Sequence, residues 1–396
     1  MKILVANLGS TSMKHSLYAM DGGQERLVAR GGQERITDYA AAVDECLRSL
    51  IDEGHLSGLD ELAAVGFKPV VAQGVSGCVE MTESVLAAME AFSPIAPAHN
   101  PPYINGVRMF REKAPGAPLV GLFETAFYQW IPEANTRFAV PEEWRERGVR
   151  RFGFHGASHK YIAERSAELL GREDVAQRAQ RLYRDGGTSP VAGPDLRVIS
   201  CHLGGSSSVT GIRNGVAIGN SFGMTPQSGL PHNNRVGDLD PCALPYLMRE
   251  TGLSLDEAER IMTKESGLLG MSGVSNDVRD LREAAEQGNQ RARIALDVLV
   301  AEIRRYVGWF YLELNGIDAL AFTAGIGEND GALRREVCAK LENLGIRLDA
   351  EKAAQDRWEQ DAVISAEDSP VKVMVIHTNE ELVIAREVKR KLEATG

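Results

Sequence analysis

Residues 196–215 read LRVISCHLGGSSSVTGIRNG, and residues 2–18 read KILVANLGSTSMKHSLY. In both, an apolar strand pattern runs into a tight Gly/Ser turn and leaves along a second strand. Only N-L-G-S-T-S and H-L-G-G-S-S match closely, a similarity short enough for chance to produce. Read as an internal echo, it sets one β-hairpin in each half of the chain, with turn N–H groups and hydroxyls exposed. Duplicated halves would place the two turns facing each other across a cleft.

Outward from these hairpins the pattern alternates. Residues 39–53 carry a helical period and residues 62–72 a strand pattern. Another helix is expected over 158–172, from a possible N-cap at Ser158 to Gly171. The polar, Gly/Pro-containing stretch 174–196 reads as a surface insertion. Over 291–314, Leu296, Leu299, Ile303, Val307, Phe310 and Leu314 share one helical face, and Asn315-Gly316 is the stop. A strand (ALAFTAG, 319–325) and a helix (GALRREVCAKLENLG, 331–345) follow. The last strand, VKVMVIHT (371–378), leads into a C-terminal helix from Glu380. Strands alternating with helices define an α/β protein.

The 396 residues are enough for two or three domains. With 44 Lys+Arg against 55 Asp+Glu, the formal charge is −11, which argues against nucleic acid or an anionic membrane as the main partner. An anionic substrate remains possible, because a local cationic pocket can sit in an acidic shell. Cys46, Cys78, Cys201, Cys242 and Cys338 are scattered, the pattern of free thiols in a reducing compartment. Residues 1–7 lack the apolar stretch of a signal peptide, and no run approaches the ~18 residues of a membrane span. A cytoplasmic protein is expected.

Five segments could carry chemistry. In Asn7-Leu8-Gly9-Ser10-Thr11-Ser12-Met13-Lys14, Gly9 permits a sharp turn whose donors could face phosphate oxygens, and Lys14 adds a positive charge. No G-x-x-x-x-G-K-[ST] occurs, and an ordinary hairpin turn explains the segment equally well. In Arg150-Arg151-Phe152-Gly153-Phe154-His155-Gly156-Ala157-Ser158-His159, the two histidines have possible metal spacing. The flanking glycines instead suggest a loop, with His155 donating to an anion or serving as a structural histidine. Arg235, in a loop that follows Ser221–Pro226, could grip an oxyanion or pair with a nearby Asp at the surface. Phe322–Asn329 reads as a glycine-rich loop that lets a nucleotide approach the end of a strand. His377-Thr378-Asn379-Glu380-Glu381 places two acids at a strand-to-helix junction, suited to Mg²⁺ or simply to a helix N-terminus.

Taken in order, R-R-F-G-F-H-G-A-S-H (150–159), K-E-S-G-L-L-G (264–270), G-V-S-N-D-V-R-D-L (273–281), F-T-A-G-I-G-E-N (322–329) and T-N-E-E-L-V-I-A-R-E (378–387) resemble the acetate kinase family across almost the whole chain. The resemblance implies duplicated ribonuclease H-like domains of the actin/hexokinase/Hsp70 type around an interdomain cleft. The expected division is 1–126 plus 382–396, and 127–381. It also implies transfer of the γ-phosphoryl group of ATP to acetate or a related short-chain carboxylate, with Mg²⁺, in a homodimer. Carried over by motif, Asn7 and Glu380 would position the metal, and Ser10, Ser12 and Lys14 the phosphates. His155, Arg235 and Glu124 would join Lys14 as catalytic groups. Gly204, Gly205, Ser206, Asp277, Val278, Arg279, Gly325, Ile326, Gly327, Glu328 and Asn329 would hold the nucleotide. Lys68, Phe154, Pro226 and His99 would face the acceptor.

Three positions depart from the family pattern. Where the family has G-H-R-V-V-H-G-G, this chain reads Gly66-Phe67-Lys68-Pro69-Val70-Val71-Ala72-Gln73-Gly74, so either Lys68 or Pro69 takes the place of the arginine. Lysine lacks its bidentate fork. Glu124 stands for an Asp in F-D-T-A-F, and Gly205 for an Asn in H-L-G-N-G-A-S. These departures leave open a kinase of the same fold acting on another small acid or on a hydroxyl group.

Overall fold

The computed structural model describes residues 1–9, 12–97 and 99–395; Ser10 lies outside them. The chain divides into two compact units, one of residues 1–129, 155–161 and 379–396 and the other of residues 130–154 and 162–378.

The first unit is built on β1 (Lys2–Leu8), β2 (Ser12–Asp21), β3 (Gln24–Glu34), β4 (Leu62–Phe67), β5 (Cys78–Glu80) and β6 (Leu119–Leu122). They form one sheet in the order β3-β2-β1-β4-β6-β5. β1, β4 and β6 run parallel, while β2, β3 and β5 pair antiparallel to their neighbours. Ile3, Leu4, Val5 and Ala6 are all buried, as a central parallel strand covered on both faces requires. Gly66 in β4 lets the helix Glu380–Thr395 lie close, since a Cβ there would stand 3.0 Å from Cγ2 of both Ile384 and Val388. A buried ion pair, Lys160 Nζ to Glu387 Oε1 at 3.1 Å, fixes the same helix within this unit.

In the second unit, β7 (Arg197–His202), β8 (Ser208–Arg213), β9 (Val216–Asn220), β10 (Ala319–Thr323), β11 (Ala362–Val363) and β12 (Lys372–Val375) form the sheet β9-β8-β7-β10-β12-β11. Counted from its own first strand, this order is the same as that of the first unit. The directions agree too, with β7, β10 and β12 parallel and the other pairings antiparallel. The echo of the two hairpins is therefore a duplication of topology. The helix Gln290–Glu313 buries Leu296, Leu299, Ile303, Val307 and Phe310 against this sheet, the face its period predicts. Phe310 lies over the backbone of Gly211 and Gly219, where a Cβ would be 2.5 and 2.8 Å from its ring.

Several expected boundaries move. The strand expected over 62–72 ends at Phe67, before Pro69, which cannot donate to a ladder. The helix expected from Ser158 begins at Gly156 and ends at Leu169, so Ser158 is a buried interior residue rather than a cap. The stretch 174–196 is not wholly a surface insertion. Helices Glu173–Gln180 and Leu182–Asp185 bury Val175, Ala176, Ala179 and Leu182, whose helical spacing is hidden among charged neighbours. The segment 324–329 is a short helix rather than a loop, and Ala324 enters it with a left-handed φ of 65°.

Candidate functional site

In the first unit, the carboxyl ends of three adjacent parallel strands converge, the place where α/β sheets bind ligands. Asn7 comes from β1, Lys68 directly follows β4, and Glu124 follows β6. Lys68 extends its ammonium to Glu124 Oε1 at 3.0 Å and to Glu380 Oε2 at 2.5 Å. Burial would lower the Lys68 pKa, but the facing carboxylates of Glu124 and Glu380 hold it well above the usual lysine value. Glu124 moves up, chiefly through burial, with Glu380 adding repulsion and Lys68 opposing both. Its second oxygen, Oε2, is buried with no hydrogen-bond partner.

Tyr103, from the helix Asn100–Lys113, donates to Asn7 Oδ1 at 2.9 Å. Burial pushes its phenol pKa upward, so it stays a donor. No sequence signal marked Tyr103, since one buried tyrosine on an amphipathic helix looks like any other. Lys14 is paired in register with Asn7 across β1 and β2, and its side chain is exposed. The intervening turn closes through the Gly9 N–H, which donates to the Ser12 carbonyl at 2.7 Å. His155 holds a left-handed φ of 60°, and the next N–H, of Gly156, donates to the Glu124 carbonyl at 3.0 Å. A strained histidine backbone tied to a buried acid fits a working position better than a packing one. The His155 and His159 rings lie 6.5 Å apart, and the described residues contain no group of three or more His, Cys, Asp or Glu able to hold a metal. His99 starts the helix that carries Tyr103.

The adjacent acids Glu380 and Glu381 part company. Glu380 meets Lys68, whereas Glu381 pairs with Arg30 at 2.9 Å. Residues one apart on a helix point about 100° apart, so one of two neighbouring acids reaches the site.

The second unit presents turns at its corresponding strand ends. Between β7 and β8, the Gly204 N–H donates to Ser207 Oγ at 3.2 Å, and Gly205 is exposed with half-buried Ser206 beside it. His232 locks this turn in place: its Nδ1 accepts from the Ser207 N–H at 3.0 Å, and its Nε2 donates to the Ser228 carbonyl at 3.2 Å. Burial first, and then the charge of Arg235, lower its pKa to about 3, so it is a neutral imidazole. This residue stands immediately before the Asn233–Pro241 segment and carried no sequence signal of its own.

Arg235 does not form the surface pair with an Asp that its sequence neighbours suggested. Asp238 instead accepts from the Gly229 N–H at 2.9 Å and from the Tyr306 hydroxyl. Arg235 donates to the Pro226 carbonyl at 2.7 Å, and among the described residues no carboxylate lies within ion-pair reach of it. Burial alone lowers its pKa, to about 10. A sheltered guanidinium bonded to a backbone carbonyl can serve packing, as the buried Arg334 does, or receive an anion. Phe154 is buried edge-on against Phe222, with ring centroids 5.3 Å apart, and Pro226 is buried nearby in the chain.

At the end of β10, Glu328 Oε1 accepts from the N–H groups of Ala324 at 2.8 Å and Thr378 at 3.2 Å. It thereby ties the ends of β10 and β12 together. Ile326 and Gly327 donate their N–H groups to the Leu203 carbonyl at 2.8 and 3.0 Å, and Asn329 Nδ2 bonds the Gly325 carbonyl at 2.9 Å. Asp277 caps the helix Val278–Glu286 by accepting from the Arg279 N–H, and also pairs with the Arg279 guanidinium at 2.6 Å. That contact lowers the Asp277 pKa, while Val278 is buried beneath.

Comparison with known proteins places these features in a wider set. The sequence model of the acetokinase family matches residues 28–386. An acetate kinase from Alkaliphilus metalliredigens is 39% identical, with 98% of this chain and 99% of that protein aligned. One from Natranaerobius thermophilus is 40% identical over the same shares. The solved acetate kinase of Porphyromonas gingivalis superposes with a TM-score of 0.86 at 35% identity, covering 99% of each chain. A propionate kinase from Francisella tularensis superposes at 0.83 with 30% identity, covering 98% of each.

Proposed function

The chain belongs to the acetokinase family, and from that premise we propose that it transfers the γ-phosphoryl group of ATP to acetate or a similar short-chain carboxylate, reversibly. The full-length kinship with acetate and propionate kinases carries this reading. An acceptor with a hydroxyl group is the less favoured alternative, because those relatives are named for carboxylates. A carboxylate brings its own nucleophile, so no general base has to be supplied. The catalytic task is then to position the reactants and neutralise charge on the phosphoryl oxygens.

In this reading Arg235 and His155 bind the oxygens of the transferring group. The absence of an acid partner for Arg235 supports that role, as does the held backbone of His155. Lys14, Ser10 and Ser12 face the phosphates, and the turn Gly204-Gly205-Ser206 offers backbone donors to the same groups. Asp277, Val278, Arg279 and the segment Gly325-Ile326-Gly327-Glu328-Asn329 accommodate the adenosine, with Glu328 as a brace. Phe154, Pro226 and His99 are assigned to the acyl tail by their motifs. The donor set of Asn7, Glu124 and Glu380 is all oxygen, and Glu124 Oε2 has no partner of its own, which suits Mg²⁺. When bound, Mg²⁺ would supply neutralising charge to the phosphate oxygens. The proposed functional division is 1–126 with 382–396, and 127–381, in a homodimeric cytoplasmic enzyme. It differs from the compact units in giving residues 127–129, 155–161 and 379–381 to the second domain. No helix among the described residues is long and apolar enough to cross a membrane.

Incubation with ATP, Mg²⁺ and acetate, propionate or butyrate, with hydroxylamine to trap acyl phosphate, tests the reading. A hydroxamate from at least one acid is expected. ATP binding without product from any of the three would overturn it.

A further inference from the structure

Lys68 faces two acids from different elements, one after β6 and one opening the helix Glu380–Thr395. These two contacts set one ammonium against two carboxylates. Glu124 Oε2 is buried and makes no hydrogen bond, so this carboxylate keeps an oxygen for a further cation. The cluster holds itself together with a monovalent cation and retains capacity for more positive charge.

We propose that Lys68 is an internal cation that stands in for a divalent metal between Glu124 and Glu380, and that metal loading releases its ammonium to the acceptor carboxylate. The inference rests on the metal-dependent carboxylate kinase reading above. A divalent ion on the two acids balances them without help. The ammonium then becomes a surplus cation in a half-buried place and needs a new anion. Its four-carbon stem is flexible enough to turn, where a planar guanidinium fork would hold one geometry. The acceptor carboxylate is an anion the reaction brings to this site. Metal and acceptor therefore bind cooperatively, and by linkage each tightens the other by the same factor.

Mn²⁺ titration in the presence of ADP, following the free-ion electron spin resonance signal, reads this without turnover. The full chain is compared with K68M and, as a second variant that keeps a polar head, K68Q, each with and without acetate. Without acetate, K68M and K68Q are expected to bind Mn²⁺ about tenfold more tightly than the unaltered chain, a difference set by the loss of one competing close charge. Acetate is expected to tighten Mn²⁺ binding severalfold in the unaltered chain and to leave the variants unmoved. Equal Mn²⁺ affinity in all three, or an undiminished acetate effect in either folded variant, overturns the inference. Failure of the unaltered chain to bind ADP at all would instead count against the functional reading.

Discussion

The two units share one strand order and one set of strand directions, yet finish their parallel strands differently. In the first, β1, β4 and β6 deliver Asn7, Lys68 and Glu124, side chains with charge or strong dipoles. In the second, the ends of β7, β10 and β12 deliver Gly204-Gly205-Ser206, the Ala324–Asn329 helix and Thr378, whose backbone N–H groups are held by the Ser207 hydroxyl and the Glu328 carboxylate. One topology thus makes a charge-bearing rim and a backbone-bearing rim. The fold supplies position, and the residues after each strand supply the chemistry.

Arg235 is the exception on the second unit, a sheltered cation among backbone donors, and removing it should break the contrast most severely. Arg235→Ala is expected to lower kcat about 10³-fold, the range for a guanidinium that stabilises a phosphoryl transition state. The melting temperature should stay within a degree or two, because no acid loses its partner. A comparable fall in stability would show Arg235 to be structural. ADP release under saturating ATP and acetate, beside a thermal melt, separates the two.

On the first unit the informative change is a compensated pair. Lys68 and Glu124 meet at 3.0 Å from two strand ends. If Lys68 rather than Pro69 takes the place of the family arginine, the two departures compensate one another, and a double-variant cycle tests this. Glu124→Asp alone withdraws the carboxylate by about 1 Å and should cost about 10²-fold in kcat/KM. Lys68→Arg alone should cost a similar amount, and the double variant should recover most of the loss. Additive losses in that cycle would show the positions to be independent.

The packing beneath each rim gives the next smaller effects. Gly66→Ala in β4 would press on Ile384 and Val388, and Gly211→Ala in β8 on Phe310. Each should destabilise by about 1–3 kcal/mol through overpacking, measured by chemical denaturation. Gly66→Ala should also impair activity, since the helix it displaces carries Glu380, whereas Gly211→Ala should leave kcat nearly unchanged.

The hairpins, the helix Gln290–Glu313 and the α/β class were legible because each rests on local periodicity. So were Asn7, Glu124, Arg235 and Glu380 as candidates, through the family motifs that contain them. What those motifs do not encode is who faces whom. Lys68 reads as a substitute for a substrate-binding arginine, and nothing in Gly66–Gly74 announces that its ammonium lies between Glu124 and Glu380, 56 and 312 residues further on. Glu380 and Glu381 are chemically identical neighbours whose roles a helical turn separates. Arg235, flanked by acids in sequence, avoids them because Asp238 is committed to Gly229 and Tyr306.

His232 offers the mildest way to sharpen the comparison, because it tests whether the backbone rim depends on one neutral side chain. Its Nδ1 accepts the Ser207 N–H, and protonation would turn that acceptor into a donor facing a donor. The folded pKa, about 3, lies below the unfolded value near 6.5. A depressed histidine pKa means that the unfolded chain takes up the proton first. Its contribution is therefore intact above about pH 6.5 and is lost as the pH falls toward 3, at about 1.4 kcal/mol per pH unit. Between pH 6.5 and 5 the unaltered chain should lose about 2 kcal/mol from this group. His232→Asn, with a side-chain oxygen near the place of Nδ1, should start less stable at pH 7 but show a shallower slope over that interval. First-unit carboxylates titrate alike in both proteins, so the difference in slope isolates the second-unit turn. Parallel slopes would mean that the turn does not depend on a neutral His232.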